Sequence, residues 1–580
     1  MQEIESQIEG RRRNGLPDIQ EKNEPEEVTY DDLLSSAGEF GLYQKILFIS
    51  TFPFYAFGVV SYFQQLFITE VSPNHWCQVP ELANLTVLQR RAMAIPTDPD
   101  ARFGYSQCSA YVANWSAELA AGRTTPDPSW RTEPCRYGWE FNSTEIPYLT
   151  ISSELGWVCD KDSNQASAQS IFFVGSIVGG FLIGWIADRY GRLPATAICN
   201  VIGGVSGVIT IFATNFVQFA VCRFFMGISW DNSMLMVYLL VLEYVAPKYR
   251  TIIANLPFAI FYTFTLCVYP WIALACNHWK VFSLVTSIPM IFAVLAPFVM
   301  PESPRWLLSV GRVDDAIKKI QRIGQVNKKE VSSKLIEQFK TSLSKQKLEA
   351  KYGAVDLLKR SLLRNMFICI CIGYMCCTIT LDSLIRSIGQ LEFDFFVSFS
   401  VISFTEFPSL ALVSFILDLT GRKWLAVSTF AVACVFSVLT AFLGGGLSSV
   451  LCAVVARFAM NITYNTVMQW ATEMLPTTVR GTGMSIVHIC GYVATVISPF
   501  IVYLEIYYTW LPLVIVGGVA GFGAVIVLGL PETASKELPH TFEDAETLIR
   551  DSKFIEIPCL MKKKSQASKQ DGHENNSFEM

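Results

Sequence analysis

Twelve stretches of mostly apolar residues, each about 20 residues long, restrict what this chain can fold into. A helix of that length crosses the hydrocarbon core of a bilayer while making all its backbone hydrogen bonds internally. Only 16% of the 580 residues are charged and 51% are hydrophobic, which leaves too little polar surface for several soluble domains. We therefore predict an all-α membrane protein with twelve transmembrane helices. The stretches lie near 43–69, 166–187, 194–214, 217–242, 251–275, 280–300, 364–383, 394–417, 424–444, 447–472, 482–504 and 509–530.

Basic residues between these stretches predict the orientation of the chain. Lys and Arg cluster in alternate turns, as expected for cytoplasmic loops, in the sequences DRYGR, PKYR, GRK and TTVRGT. The N-terminal segment lacks the apolar core of a cleaved signal peptide. The predicted order is a cytoplasmic N terminus (1–42), a first transmembrane helix (43–69), an extracellular segment (70–163), helices two to six (164–300), a cytoplasmic central segment (301–363), helices seven to twelve (364–530) and a cytoplasmic tail (531–580) whose polar end is expected to be disordered.

The segment 70–163 carries marks of an extracellular compartment. Its glycosylation sequons are at Asn84, Asn114 and Asn142. Its four cysteines are Cys77, Cys108, Cys135 and Cys159. An even number of cysteines in an oxidising compartment predicts two disulfides, and the sequence leaves three pairings open.

An internal repeat relates the two halves of the chain. GWIADRYGR at 184–192 matches FILDLTGRK at 415–423, and AVCRFFMG near 220 matches VVARFAMN near 454. Repeated six-helix units are typical of secondary transporters, in which substrate binds near the bilayer midplane between the halves. The matched charges predict a gate, although charges that only set topology are the alternative. The predicted gate residues are Asp188, Arg189, Arg192, Glu243, Arg250, Asp418, Arg422, Glu473 and Arg480.

The chain resembles the major facilitator superfamily and, within it, the organic cation, carnitine and organic anion transporters. The resemblance runs from Phe40 to Glu546 and rests on SPNHWC, CRYGWEF, ELGWVCDK, MPESPRWLL, TEFP, TEMLPTTVRGTGM and LPETASKELPHTFED. It implies the major facilitator fold, two pseudo-symmetric six-helix bundles with a large extracellular loop, and a place in the plasma membrane.

Asp231 lies inside the fourth predicted span, where a charge is costly and indicates a functional site. Arg223, Gly227 and Tyr238 fall on the same helical face. In the family that the chain resembles, the position matching Asp231 contributes to the substrate cavity and is commonly basic. An acid there favours cationic or zwitterionic substrates. The alternative is that Asp231 pairs with Arg223 or another buried cation and only holds the helix in place.

Two further groups are candidates for substrate binding. Glu406, in TEFP, matches the family's intramembrane glutamate and would hold an ammonium group or a proton; capping of the helix break at Pro408 is the alternative. At one position in the eleventh predicted span, the family's cation carriers tend to have Asp and its anion or carnitine carriers Arg, whereas this chain has Tyr492. That residue and three others are candidates for an aromatic cage, of which we expect two to line the cavity. They are Tyr238, Tyr374, Tyr464 and Tyr492.

Other residues are expected to have structural roles. We expect Asp382 to be a solvated charge at a helix end, with a place at the cavity mouth as the alternative. We expect His488 to be a hydrogen-bonding core residue, with proton coupling as the alternative. The intramembrane cysteines lack His partners, so no metal site is expected. The sequence contains neither a nucleotide-binding loop nor a catalytic motif, so we expect neither a cofactor nor an enzymatic activity. The small net charge of −5 is scattered, so nucleic acid is not an expected partner.

These features predict a carrier that moves small organic cations or zwitterions across the plasma membrane by alternating access. An organic anion exchanger of the same family is one alternative. It is favoured because Tyr492 occupies the position where cation carriers tend to have an acid, and because Arg223 and Arg457 are intramembrane cations. A membrane receptor without transport, using the segment 70–163 to bind a ligand, is another. The expected partners are a small organic ion and the lipid bilayer.

Overall fold

The computed structural model describes residues 28–552 apart from short gaps at 100, 102, 128, 143–145, 346–353, 392, 478, 535, 537 and 540. Within this part, 11 helices are long and apolar enough to cross a membrane, and a shorter apolar helix follows them. In chain order they are Leu42–Thr69 (α1), Cys159–Tyr190 (α2), Arg192–Phe212 (α3), Phe216–Leu242 (α4), Pro247–Cys276 (α5), Trp279–Val299 (α6), Ser361–Gly389 (α7), Phe395–Thr420 (α8), Arg422–Phe442 (α9), Leu447–Met474 (α10), Arg480–Ile506 (α11) and Leu511–Val527 (α12).

Several of these helices start earlier than their apolar stretches. The helices α3, α9 and α11 begin at Arg192, Arg422 and Arg480, so the basic residues expected in turns form the first helical turn instead. A hydropathy pattern cannot detect this extension, because a helix continues wherever its backbone hydrogen bonds continue, whatever the polarity of its side chains.

The first six helices pack into one half and the last six into the other. The close contact of α2 with α4 depends on glycine: a Cβ on Gly227 would lie 2.0 Å from the Phe172 carbonyl oxygen, and one on Gly175 would lie 2.1 Å from that of Phe224. In a membrane, small residues bring helices together because apolar side chains gain little by leaving lipid. Large apolar side chains such as Phe298 and Phe415 point outward, with 85% and 75% of their surface exposed.

A small folded segment lies between α1 and α2. It contains the strands His75–Cys77 (β1), Ser109–Tyr111 (β2), Thr132–Pro134 (β3) and Trp139–Phe141 (β4), in which β1 pairs antiparallel with β4 and β2 with β3. Of the three possible pairings, the cysteines adopt Cys77–Cys135 and Cys108–Cys159. We call the end of the helix bundle that carries this segment the loop end, and the opposite end, where α2 meets α3 and α8 meets α9, the turn end.

The two halves are joined at the loop end. Phe63 and Phe67 of α1 contact the ring of Phe399 of α8, with centroids 5.4 and 5.0 Å apart, within one buried apolar cluster that draws on both halves. Ser170 of α2 donates a 2.7 Å hydrogen bond to the Val496 carbonyl of α11. Toward the turn end, the large buried clusters each belong to a single half together with its adjoining segments. The space between the halves is therefore closed toward the loop end.

Shorter helices surround the turn end. The central segment forms Pro304–Ser309, Val313–Asn327, Ser333–Lys345 and Ala354–Lys359, and the tail contributes Phe542–Arg550. Most of the predicted N-terminal segment, residues 1–27, and the polar end of the tail, residues 553–580, lie outside the described part of the chain.

Candidate substrate-binding site

Irregular turns in the middle of two facing helices shape the site. In α5 the residues Phe258–Tyr262 form a π-helical turn directly after Pro257, and α8 is interrupted at Thr405, three residues before Pro408. Proline removes a backbone donor, and non-helical turns within membrane helices occur where they are buried in protein or line a cavity. These breaks place Tyr262 and Glu406 where the two halves meet.

Asp231 and Tyr492 connect the halves at this level. The Tyr492 hydroxyl of α11 donates to Asp231 Oδ2 of α4. Around them, the Tyr374 hydroxyl donates to that of Tyr464 at 3.2 Å and lies 3.4 Å from His488 Nδ1. Asp231, Tyr464, Tyr492 and His488 are all half-buried, so they border accessible space. Three of the four candidate cage tyrosines are thus brought together.

Tyr238, the fourth candidate, lies two helical turns from Asp231 and makes no ring contact or hydrogen bond with this cluster within the described residues. Trp230, which sequence reasoning missed, contacts the Tyr492 ring with centroids 5.6 Å apart. It directly precedes Asp231, a proximity that could have drawn attention to it.

The alternative pairing of Asp231 with Arg223 is not what the structure shows. Arg223 is fully buried within the first half, where it donates to Gln64 Oε1 at 2.9 Å and to Thr210 Oγ1 at 3.2 Å. Its guanidinium also lies 5.1 Å from the ring centre of Phe219. Among the described residues, no Lys or Arg forms an ion pair with Asp231, so its carboxylate keeps the capacity to bind a cation.

Glu406 has a different environment. Its Oε1 accepts a 3.0 Å bond from Arg457 Nη2 of α10, and the two side chains are 17% and 8% exposed. The carboxylate therefore does not cap the break at Pro408, which was the alternative to binding an ammonium group or a proton. Arg457 also donates to the Leu381 carbonyl of α7. The pair presents little net charge to the cavity, unlike Asp231.

The predicted gate residues lie at the turn end, in two matching sets. Arg192 lies 2.9 Å from Asp188 and 3.6 Å from Glu243, while Arg422 lies 2.9 Å from Asp418 and 3.0 Å from Glu473. All four of these ion pairs join residues of the same half.

The remaining three gate candidates are arginines. Arg250 and Arg480 each donate through Nε to a carbonyl five residues earlier, those of Val245 and Leu475. Arg250 also pairs with Asp31 at 2.5 Å. Arg189 is exposed and forms no ion pair among the described residues.

Comparison with known proteins identifies the family. The pattern of the sugar (and other) transporter family matches residues 109–544. The chain belongs to this transporter family. A carcinine transporter of Drosophila melanogaster is 30% identical to it, over 99% of this chain and 88% of the relative. Organic anion transporter 3 of Oryctolagus cuniculus is 28% identical over 93% and 97%, and organic cation/carnitine transporter 2 of Homo sapiens is 28% identical over 89% and 93%.

The fold of this transporter matches a solved one. The xylose transporter XylE of E. coli, in an inward-open conformation, superposes with a TM-score of 0.54 at 15% identity, over 87% of this chain and 99% of that one. The predicted twelve-helix major facilitator fold, the resemblance to organic cation, carnitine and anion transporters, and the transport function are confirmed.

Two glutamates of the transporter complete the turn end and were not predicted. Glu302 of MPESP accepts the backbone N–H groups of Arg192 and Leu193 at 3.0 and 3.1 Å, and Glu532 of LPETA accepts those of Arg422 and Lys423, both at 3.0 Å. Burial raises the pKa of the Glu302 carboxyl, and the backbone donors oppose that shift. The repeated Pro-Glu after the sixth helix of each half was the available signal.

The environment of Asp382 in α7 differs from the expected one, a solvated position at a helix end. Its side chain is 3% exposed rather than solvated, because it lies within a hydrogen-bonded cluster at the loop end. Partners from elsewhere in the chain decide its environment, and a position near a helix end does not reveal them.

Proposed function

We propose that this transporter carries small organic cations or zwitterions by alternating access, with Asp231 as the principal ligand of the substrate's ammonium group. The single observation that carries the proposal is the Asp231 carboxylate between the halves, with a tyrosine hydroxyl and no described cation as its partner. An acid within a membrane protein is costly unless something compensates its charge. A substrate cation would supply that compensation, and the neighbouring aromatic rings would replace part of its hydration shell.

The surrounding residues support a cation more than an anion. Arg223 is fully buried within the first half, and Arg457 is paired with Glu406, so neither is as accessible to a free ion as Asp231. The organic anion alternative then rests mainly on Tyr492, which stands where the cation carriers of the family tend to have an acid. Relatives named as carcinine and beta-alanine transporters have names consistent with amine-bearing substrates.

We further propose that the loop end faces outside, that both termini are cytoplasmic and that the membrane is the plasma membrane. The sequon residues Asn84 and Asn114 are exposed at that end, where glycosylation requires them to be. The two disulfides fit an oxidising compartment. The matched ion pairs of the turn end would then form the cytoplasmic gate, rearranging when the halves close there.

Uptake in expressing cells tests the substrate proposal. Labelled tetraethylammonium and labelled carnitine are supplied to polarised cells and to cells depolarised with high potassium. Entry of a net cation should fall on depolarisation, because about 2.3 kcal/mol accompanies each charge moved through 100 mV. Carnitine entry should be insensitive to potential if nothing else moves with it.

Asp231→Asn should weaken uptake of either probe about tenfold or more, because it removes the negative charge that attracts the quaternary ammonium group of each probe. Tyr238→Phe, outside the cluster, is the matched control and should leave uptake unchanged. Uptake by Asp231→Asn with unaltered affinity would refute the role of this carboxylate. Failure of both probes with verified surface protein would refute the substrate class.

A further inference from the structure

A second polar cluster lies at the loop end, next to the substrate site. Asp382 and Arg386 lie one turn apart on α7 and form a 2.8 Å ion pair, with side chains 3% and 10% exposed. Ser498 of α11 donates to Asp382 Oδ2 at 2.6 Å. The Tyr62 hydroxyl of α1 donates to the other oxygen, Oδ1. Asp382 therefore has a polar partner on each of its oxygens.

The two halves contribute differently to this cluster. Asp382, Arg386 and Ser498 belong to the second half, whereas Tyr62 belongs to the first. The guanidinium of Arg386 also lies 5.4 Å from the ring centre of Tyr62 and 5.8 Å from that of Phe173, which are both in the first half. Aromatic groups of one half thus cover an ion pair of the other.

Such a contact suits a joint that must open and close. A buried ion pair is costly when it loses a partner without replacement. If the halves separate here, water can replace the Tyr62 hydroxyl and the ring faces. Neither charge of the Asp382–Arg386 pair is then left buried without a polar partner. A purely apolar joint would gain nothing from water on opening.

The position of the cluster connects it with the substrate site. The Tyr62 ring stacks on Trp230 with centroids 4.7 Å apart, and Trp230 contacts Tyr492, the residue that donates to Asp231. A substrate passing between Asp231 and the loop end would have to displace these rings. The cluster therefore covers the site on that side.

We propose that the cross-half contact of Tyr62 with the Asp382–Arg386 pair is the gate at the loop end of this transporter. Breaking the contact lets the site open toward that end, and re-forming it closes the site. The gate rests on the alternating access of the proposed function but not on the charge of the substrate, and it can be tested with no substrate present.

The test measures how often the loop end opens. Ile388, 1% exposed within the apolar cluster shared by both halves, is replaced by Cys, and its modification by a membrane-impermeant maleimide is followed in intact cells. When opening is fast relative to labelling, the rate follows the population of the open form. Tyr62→Phe keeps the ring and removes the hydroxyl, so the labelling rate should rise about tenfold, as expected for a lost hydrogen bond to a charged group.

Ser498→Ala is the matched control, because it removes a hydrogen bond to the same carboxylate from within the same half. Its labelling rate should stay within about twofold of the parent, since a same-half bond need not break on opening. In an Asp382→Asn background, Tyr62→Phe should add no further increase, because the two changes remove one interaction. If Tyr62→Phe alone is poorly expressed, comparing Asp382→Asn with the double variant still tests the proposal.

Two results would overturn the proposal of a gate. One is an unchanged labelling rate in Tyr62→Phe. The other is an equal rise of the labelling rate in Tyr62→Phe and Ser498→Ala, which would mean that the cluster has a purely structural role. A cysteine at the exposed Thr214, between α3 and α4 at the loop end, should label rapidly in every background. Its failure to label would mean that the orientation is wrong, and the same measurements would then be made on inverted membranes.

Discussion

Glu70 directly follows α1 at the loop end, and its carboxylate lies against the second half: a Cβ on Gly389 would be 3.1 Å from Glu70 Oε1. Burial, with a smaller effect of the Glu505 carboxylate, raises the pKa of Glu70 from 4.5 to about 8. Between these values the folded protein holds a proton that the unfolded chain has lost. The free energy of unfolding should therefore fall as the pH rises from about 5 to about 8.

Glu70→Gln should remove this part of the pH dependence. The neutral amide resembles the protonated carboxyl, so the variant should match the wild type near pH 5 and unfold at a higher temperature, by a few degrees, near pH 8.5. Thermal unfolding of the purified protein at both values measures the difference. An identical slope against pH in the two proteins would contradict the assignment.

The sequence identified the charged residues inside the helices but not their partners. Asp231 and the tyrosines 374, 464 and 492 could be proposed because a charge and aromatic rings inside predicted spans are conspicuous. The pairing of Glu406 with Arg457 and that of Asp382 with Tyr62 could not, because each joins helices that the sequence separates by 51 and 320 positions.

The helices α3 and α9 occupy matching positions in the two halves, and a carboxylate accepts the first N–H groups of each: the half-buried Glu302 for α3 and the buried Glu532 for α9. Glu302→Gln and Glu532→Gln should each lower the free energy of unfolding by about 1–2 kcal/mol, because a carboxylate binds helix N-terminal N–H groups better than an amide does. Thermal unfolding of the purified variants checks this. Asp418→Asn, at the same end but with its side chain 79% exposed, is the control and should change stability far less. Equal losses in all three would argue against a specific role for the two glutamates.

The internal repeat predicted two halves but could not indicate which end of the protein is closed, because both closed forms use the same helices. The structure answers this through contacts at the loop end. One of them joins Cys267 of α5 to Ser400 of α8, where the Cys267 thiol lies 3.6 Å from the Ser400 carbonyl oxygen and the Ser400 hydroxyl donates to the Cys267 carbonyl at 3.0 Å.

Ser400→Cys would place a second thiol beside Cys267 and allow a disulfide between the halves. Oxidation should then abolish substrate uptake, because the loop end cannot open, and reduction should restore it. Ser400→Ala, which lacks the second thiol, should be insensitive to oxidant. Undiminished uptake by protein shown to be cross-linked would mean that the halves need not separate at this point.

The two disulfides interleave, because Cys108 lies within the Cys77–Cys135 ring and Cys135 lies within the Cys108–Cys159 ring. If the loop end faces the oxidising lumen, as we propose, Cys77 and Cys108 enter the lumen first during synthesis, and each is the earliest partner that the other meets. A bond between them is non-native and has to be exchanged once Cys135 and Cys159 have followed. Since Cys159 begins α2, correct oxidation is completed only as the second membrane helix is synthesised. We therefore expect the biogenesis of this transporter to depend on thiol–disulfide isomerases, and its yield in a recombinant host to follow their supply.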